Sequence, residues 1–214
     1  MTIPNIYTIG ISGGSCSGKT FLTNQLLEKY GSKKISIINL DSYYFDLSML
    51  KMSEREKNNF DHPSSFDFKH LESDLIKLKN NNTVRIPQYD YKTHTRKKIK
   101  KNICPLKIIL IEGILLFYEK KIRDLLNFKI FLNISGNLRK EVRIKRDAKH
   151  RARTNTSILS QYKNSVEPMY KKYIEPTSKF ADFIIKDNSY CNDGFNILSK
   201  QINLILEKDA NREK

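Results

Sequence analysis

Eight residues near the start of the chain have the types and spacing to hold a triphosphate. Gly13, Gly14, Ser15, Cys16, Ser17, Gly18, Lys19 and Thr20 fit the pattern G-x-x-x-x-G-K-[ST]. Glycines in such a turn let successive backbone N–H groups face inward, and a helix that follows would direct the positive end of its dipole at the phosphates. Lys19 would reach the β- and γ-phosphates, and the Thr20 hydroxyl would ligate Mg²⁺. The four fixed positions coincide by chance in roughly one chain in a hundred of this length. Here they also lie between an apolar stretch and a helical one, which chance need not provide.

Two acids extend the chemistry. Asp41 follows the apolar run Ile35 to Leu40, and Glu112 follows Ile108 to Ile111. Transfer of a phosphoryl group to an alcohol needs a metal, in-line positioning and often a base for the hydroxyl proton. Either acid alone could cap a helix or solvate a loop. Both end a predicted strand, as the loop does, so one rim would collect Lys19, Thr20, Asp41 and Glu112 as candidates for this chemistry.

The elements that must position these residues alternate between strand and helix. Strands are predicted at Asn5 to Ile11, Ile35 to Leu40, Lys107 to Ile111, Lys129 to Ile134 and Ala181 to Lys186. Helices are predicted at Lys19 to Tyr30, Phe66 to Asn80, Gly113 to Leu126, Asn137 to His150 and Asn196 to Lys208, with further helical segments up to Tyr173. Thr83 to Pro87 and Thr95 to Lys101 read as the arms of a hairpin. The order implies one α/β domain over 1–214, with a parallel central sheet flanked by helices. A small β-hairpin insertion at 83–101 completes it. Ligands of such sheets bind at the carboxyl ends of the strands.

Composition narrows the partners. The formal net charge is +16, from 39 Lys and Arg against 23 Asp and Glu. The basic residues are spread along the chain, with one local run at Arg96 to Lys101, so an anionic nucleotide substrate suits them better than nucleic acid. No apolar run approaches the ~18 residues of a membrane span. The three cysteines, Cys16, Cys104 and Cys191, match no metal spacing and read as free thiols. A cytoplasmic protein without nucleic-acid or membrane partners is expected.

Further motifs carry a resemblance. They are Gly10 to Ser15, Asp41-Ser42-Tyr43-Tyr44, Asn59-Phe60-Asp61-His62-Pro63, Pro87-Gln88-Tyr89-Asp90-Tyr91 and Thr93-His94-Thr95-Arg96. Ile111 to Leu115, Arg143, Arg146-Asp147, Arg151, Arg153, Gln161-Tyr162 and Glu175-Pro176-Thr177 follow in the same order and spacing. From Ile9 to about Ile185 the chain resembles the uridine kinase, or uridine–cytidine kinase, family of P-loop kinases. Any one piece is weak, and the ordered set is specific.

The resemblance implies transfer of the ATP γ-phosphate to the 5′-hydroxyl of uridine or cytidine. It implies that Asp41 is the catalytic acid beside that hydroxyl and that Glu112 is the metal-side carboxylate. Asp61 and Arg143 would hold the ribose hydroxyls, and Tyr89 and His94 would read the base. Tyr44, Phe60 and Tyr91 would form an aromatic wall, with Arg153 and Gln161 as further nucleoside contacts. Arg146 and Arg151 would stand near the nucleotide, in a basic lid at about 143–156. A homo-tetramer is implied as well. The chain departs from the family at Cys16 and Ala152, where Gly is usual, at Asn133 to Asn137, and over Lys186 to Asn192 near the expected adenine site. ATP and GTP therefore both stay open as donor. Two other readings are a kinase of another small alcohol and a basic ATPase stimulated by nucleic acid.

Overall fold

An interior strand of the main sheet is the most apolar run in the chain, and its alternation builds a core on both faces of the sheet. A computed structural model describes residues 6–151, 154–186 and 190–210. Its elements run β1 (Tyr7–Gly13), α1 (Lys19–Tyr30), β2 (Ile35–Asn39), α2 (Met52–Arg55), α3 (Phe68–Lys79), β3 (Val84–Ile86), β4 (Tyr89–Asp90), β5 (Thr95–Arg96), β6 (Lys101–Ile103) and β7 (Ile108–Gly113). They continue through α4 (Lys120–Asp124), β8 (Phe128–Asn133), α5 (Gly136–Arg151), α6 (Asn155–Gln161), α7 (Glu167–Met169), β9 (Phe183–Lys186) and α8 (Tyr190–Ala210).

The main sheet is parallel throughout, in the order β2-β7-β1-β8-β9. Successive side chains of a strand point to opposite faces. In β7, Ile108 and Leu110 therefore join Leu22 and Leu26 of α1 and Leu198 and Ile202 of α8 in one core. Ile109 and Ile111 join Leu71, Leu75 and Leu78 of α3 in the other. Each such buried aliphatic side chain contributes about 1.5–3 kcal/mol. Chain order reverses across β1, where the strands on its two sides connect in opposite directions. That is the place where an open α/β sheet leaves a crevice at its carboxyl edge.

The α/β architecture matches the sequence expectation, and several details differ from it. The predicted helix from Gly113 to Leu126 is helical only at α4. Ile114, Leu115, Leu116 and Phe117 are all buried, so the segment leaves β7 as a run of turns pressed on the sheet rather than as an amphipathic helix. The hairpin has two tiers. Val84 pairs with Ile103 and Ile86 with Lys101, while the inner Tyr89 pairs with Arg96. The outer partner strand thus lies at 101–103, later than the arm read from the sequence. After α6 the chain alternates α and π turns to Ile174, with π segments at Tyr162–Val166 and Tyr170–Ile174. Among the described residues no helix is long and apolar enough to cross a membrane.

Candidate active site

The phosphate loop is built by the end of β1 and the start of α1. Gly18 closes it with φ 92°, a left-handed conformation that an L side chain resists, and α1 begins at the next residue. A Cβ on Gly14 would come within 2.6 Å of Arg139 Nη1, so only glycine lets the loop lie on α5. The Lys19 side chain is 6% exposed and folds back, donating to Gly13 O at 2.9 Å and Gly14 O at 2.8 Å. Burial pulls its ammonium below the usual lysine range, against the nearby charges of Glu112 and Asp41.

Strand pairing sets the acids beside the loop. Asn39 faces Glu112 in the β2–β7 register, and Ser12 of β1 donates to Gly113 O at 3.1 Å. A Cβ on Gly113 would overlap the Leu40 side chain, so this glycine lets β2 turn closely over the end of β7. Glu112 is 3% exposed, and one oxygen, Oε1, accepts from Thr20 Oγ1 at 2.9 Å and from Asn39 Nδ2 at 2.7 Å. Burial pushes its carboxyl upward, opposed by Lys19. Asp41 sits on a 3₁₀ turn, Leu40–Tyr43, capped by Asn39: Asp41 N donates to Asn39 Oδ1 at 2.8 Å. A cavity of about 450 Å³ joins these groups, lined among others by Ser15, Cys16, Lys19, Thr20, Asp41, Glu112 and Arg146.

A Mg²⁺ ion suits this donor set. Thr20 and Glu112 bring hard oxygen atoms together, with the Thr20 hydroxyl donating to Glu112 Oε1. A Mg²⁺ bound by one or two side chains takes its remaining ligands from phosphates and water. Among the described residues no group of three or more His, Cys, Asp or Glu could hold a metal ion.

The other predicted residues gather next to Asp41. Tyr91, on the hairpin, donates its hydroxyl to Asp41 Oδ2 at 3.2 Å. His94 stacks on Phe60, with ring centroids 4.7 Å apart and planes at 17°. Tyr44 packs on Phe60 at 5.3 Å and on Tyr89 at 5.1 Å, and Tyr89 meets Tyr91 at 5.8 Å. Asp61 is 7% exposed, and burial raises its carboxyl pKa against the charge of Arg143. Arg143 donates to Ser15 Oγ of the loop at 2.9 Å and to Gln161 Oε1 at the end of α6 at 3.0 Å. Within the span 137–150 that the sequence predicts as helical, Arg143 and Arg146 lie on α5. Arg151 is its last residue, with its side chain outside the described part, and Arg153 lies outside the described residues.

Asn39, Arg139 and Asp147 hold this arrangement together, although the sequence assigned them no role. Asn39 bridges Glu112 and the Asp41 turn. Asp147, fully buried, accepts from Arg146 Nε at 2.8 Å and lies 3.5 Å from Arg143 Nε. Arg139 is 1% exposed, is anchored by Glu167 at 3.1 Å, and lies 3.7 Å over the Tyr170 ring. Its Nη1 has no hydrogen-bond partner among the described residues and packs against Gly14, which sets a buried positive charge behind the phosphate loop. The Arg139-to-Asp147 spacing of i, i+4, i+7 and i+8 with Arg143 and Arg146 is a one-sided helix stripe, a signal the basic composition of the segment conceals.

The model of the phosphoribulokinase / uridine kinase family matches residues 8–192. The chain belongs to that family. Among relatives, a uridine kinase of Lactococcus lactis subsp. lactis (strain IL1403) is 40% identical over 198 residues, 92% of this chain and 96% of that protein. A uridine kinase of Limosilactobacillus reuteri (strain DSM 20016) is 37% identical over 205 residues, 96% and 94% of the two chains. Solved structures share the fold. A "possible uridine kinase" from Bacillus stearothermophilus superposes with a TM-score of 0.59 at 20% identity, covering 86% of this chain and 91% of that one. Phosphoribulokinase from Rhodobacter spheroides gives 0.64 at 15% identity, covering 90% and 74%.

Within this family member, Cys16 has a structural consequence. Its φ is 64°, so a side chain stands where the loop requires left-handed backbone. Cys16→Gly is expected to stabilise the protein by up to about 1 kcal/mol, with nucleotide affinity retained. Thermal melts with and without nucleotide check this, and a lower Tm for the variant would contradict it.

Proposed function

We propose that this protein is an enzyme that transfers the γ-phosphate of ATP or GTP to the 5′-hydroxyl of uridine or cytidine, giving UMP or CMP. The observation that carries this reading is the hydrogen bond from Tyr91 to Asp41. It joins an aromatic pocket suited to a base with a carboxylate standing at the rim of a triphosphate loop. The relatives named uridine kinase, at 37–40% identity over nearly the whole chain, support the choice of nucleoside.

Each side chain has a task on this reading. Lys19 exchanges its contacts with Gly13 and Gly14 for the β- and γ-phosphates, while the N–H groups of Gly13 to Thr20 and the α1 dipole hold the triphosphate. Thr20 and Glu112 would hold Mg²⁺, which when bound would neutralise part of the phosphate charge. Asp41 takes the proton of the 5′-hydroxyl as it attacks. Arg146 at the cavity wall stabilises the charge of the transferring group, and Arg151 acts from the lid side. Asp61 and Arg143 hold the ribose hydroxyls, and Gln161 and Arg153 serve as further nucleoside contacts. Tyr44, Phe60 and Tyr91 wall the base, and Tyr89 and His94 contact its edge. The enzyme works in the cytoplasm on free nucleosides, without nucleic-acid or membrane partners, as a homo-oligomer.

A substrate panel tests the proposal. With Mg-ATP, kcat/KM for uridine and cytidine should exceed that for purine nucleosides and for small alcohols such as glycerate. Equal rates across the panel, or stimulation of ATP hydrolysis by added polynucleotide, would contradict it. A second expectation concerns Asp61. Its folded pKa is raised, so the unfolded chain loses that proton first and stability falls as pH rises through the interval between the two values. Asp61→Asn should therefore raise Tm at neutral pH, while KM for uridine rises because an acceptor for the ribose hydroxyls is lost. A lower Tm with unchanged KM would show that Asp61 is structural.

A further inference from the structure

The hairpin tip that carries His94 is tied down by a residue outside the motifs. Arg55 ends α2 and spends three donors on three backbone carbonyls. Nε donates to Leu50 O at 2.8 Å, Nη2 to Ser48 O at 2.9 Å and Nη1 to Thr93 O at 2.9 Å. Two of these carbonyls belong to the loop before α2, and the third belongs to the hairpin tip, 38 residues later. The same two segments meet again where Arg96 N donates to Asp46 Oδ1 at 3.1 Å. Asp46 also fixes Ser48, through Ser48 N at 3.2 Å and Ser48 Oγ at 2.8 Å.

The tip needs such a tie. His94 has φ 54°, a left-handed conformation that costs a non-glycine residue energy unless its surroundings enforce it. That conformation is what lays the imidazole flat on Phe60. Thr93, whose carbonyl Arg55 holds, is the preceding residue. Its backbone therefore sets where the His94 ring begins. A planar guanidinium can serve three carbonyls in fixed directions at once, whereas a lysine ammonium is a point donor on a flexible stem and cannot reproduce the fork.

We propose that Arg55 is a positioning residue for nucleoside recognition: it clamps the hairpin tip to the loop before α2 and so holds His94 against Phe60 at the edge of the base pocket. This rests on the proposed nucleoside kinase reading. Arg55 acts through His94 and Thr93 and belongs to the acceptor side alone, since none of its hydrogen bonds reaches the phosphate loop, Asp41 or Glu112.

Steady-state kinetics of Arg55→Ala, Arg55→Lys, His94→Ala and the double variant Arg55→Ala/His94→Ala provide the test, with thermal melts as the control for folding. Arg55→Ala is expected to raise KM for uridine about tenfold, with kcat and KM for ATP within about twofold of wild type. Arg55→Lys, which keeps the charge and the stem, should recover only a minor part of the loss. In the His94→Ala background, adding Arg55→Ala should change KM little, because the group it positions is gone. Should Arg55→Ala fold poorly, the same comparison is made with Arg55→Lys. A wild-type enzyme that turns over uridine together with an unchanged KM in the Arg55 variants overturns the positioning role and leaves the function standing. Additive losses with His94→Ala, or equal losses for uridine and ATP, overturn it too. A wild-type enzyme inactive on every pyrimidine nucleoside overturns the function, and this role with it.

Discussion

Asp41→Asn is expected to lower kcat by about 10²–10⁴-fold while nucleoside binding survives. The substitution keeps the size of the side chain, and a carboxamide oxygen can still accept the hydroxyl of Tyr91, which now bonds Asp41 Oδ2 at 3.2 Å. The turn that carries residue 41 is held by a backbone contact, Asp41 N to Asn39 Oδ1 at 2.8 Å, which the change leaves in place. What an amide cannot do is take up the proton of the attacking hydroxyl. The loss should therefore fall on kcat, with the nucleoside Kd from calorimetry within a fewfold of wild type. Turnover near the wild-type rate would reject Asp41 as the base. A collapse of nucleoside binding would instead make Asp41 a substrate anchor.

Lys19→Met is expected to lower kcat/KM for the nucleotide by about 10²–10³-fold, the scale of removing one donor that stabilises developing charge. Two effects add. The cation that would meet the β- and γ-phosphates is gone, and so are its bonds to Gly13 O and Gly14 O, which brace the loop. A stability effect accompanies the kinetic one. Glu112 is buried with a raised carboxyl pKa, and Lys19 is the charge that opposes the rise. Without it the folded pKa climbs further. A raised folded pKa means that the unfolded chain ionises first, so stability falls as pH rises from the ordinary carboxylate range through the folded value. The Tm deficit of Lys19→Met relative to wild type should therefore be larger at pH 8 than at pH 5. A deficit that is flat with pH would show that Lys19 does not neutralise Glu112.

The positions of the candidate site residues are easier to read from the sequence than the packing is. The phosphate loop was legible because a backbone cradle for phosphates requires glycine, lysine and a hydroxyl at fixed spacing, and Gly13 to Thr20 form the observed β1–α1 turn. Asp41 and Glu112 were legible because each ends an apolar strand, and parallel strands end on one rim. Asn39 escaped notice because a single amide one residue before a turn carries no pattern of its own. Its role depends on the register that faces it with Glu112. Arg55 was equally silent, since its three partners are backbone carbonyls and any sequence has those.

Two misread segments share a physical cause, apolar residues whose spacing is set by tertiary packing. Ile114 to Phe117 were taken into a helix, yet four consecutive buried side chains need a turning chain that fills the space above Gly10, where a Cβ would strike Leu126 and Phe117. Between α6 and Ile174 the buried residues are Ile158, Tyr162, Val166, Tyr170 and Ile174, one every fourth position. A stripe with that period drifts around a 3.6-residue helix, and wider π turns bring it back to the core. The boundaries of α5 and the parallel sheet, by contrast, follow from strong local patterns that packing did not override.

The most direct measurement is the coupled stoichiometry of the reaction with uridine and Mg-ATP, read by resolving UMP and ADP over a full time course. The expected result is one 5′-UMP for each ADP, with negligible ADP when uridine is withheld. ADP released at the same rate with and without uridine, and no UMP formed, would contradict the assignment of a nucleoside acceptor site beside the phosphate loop.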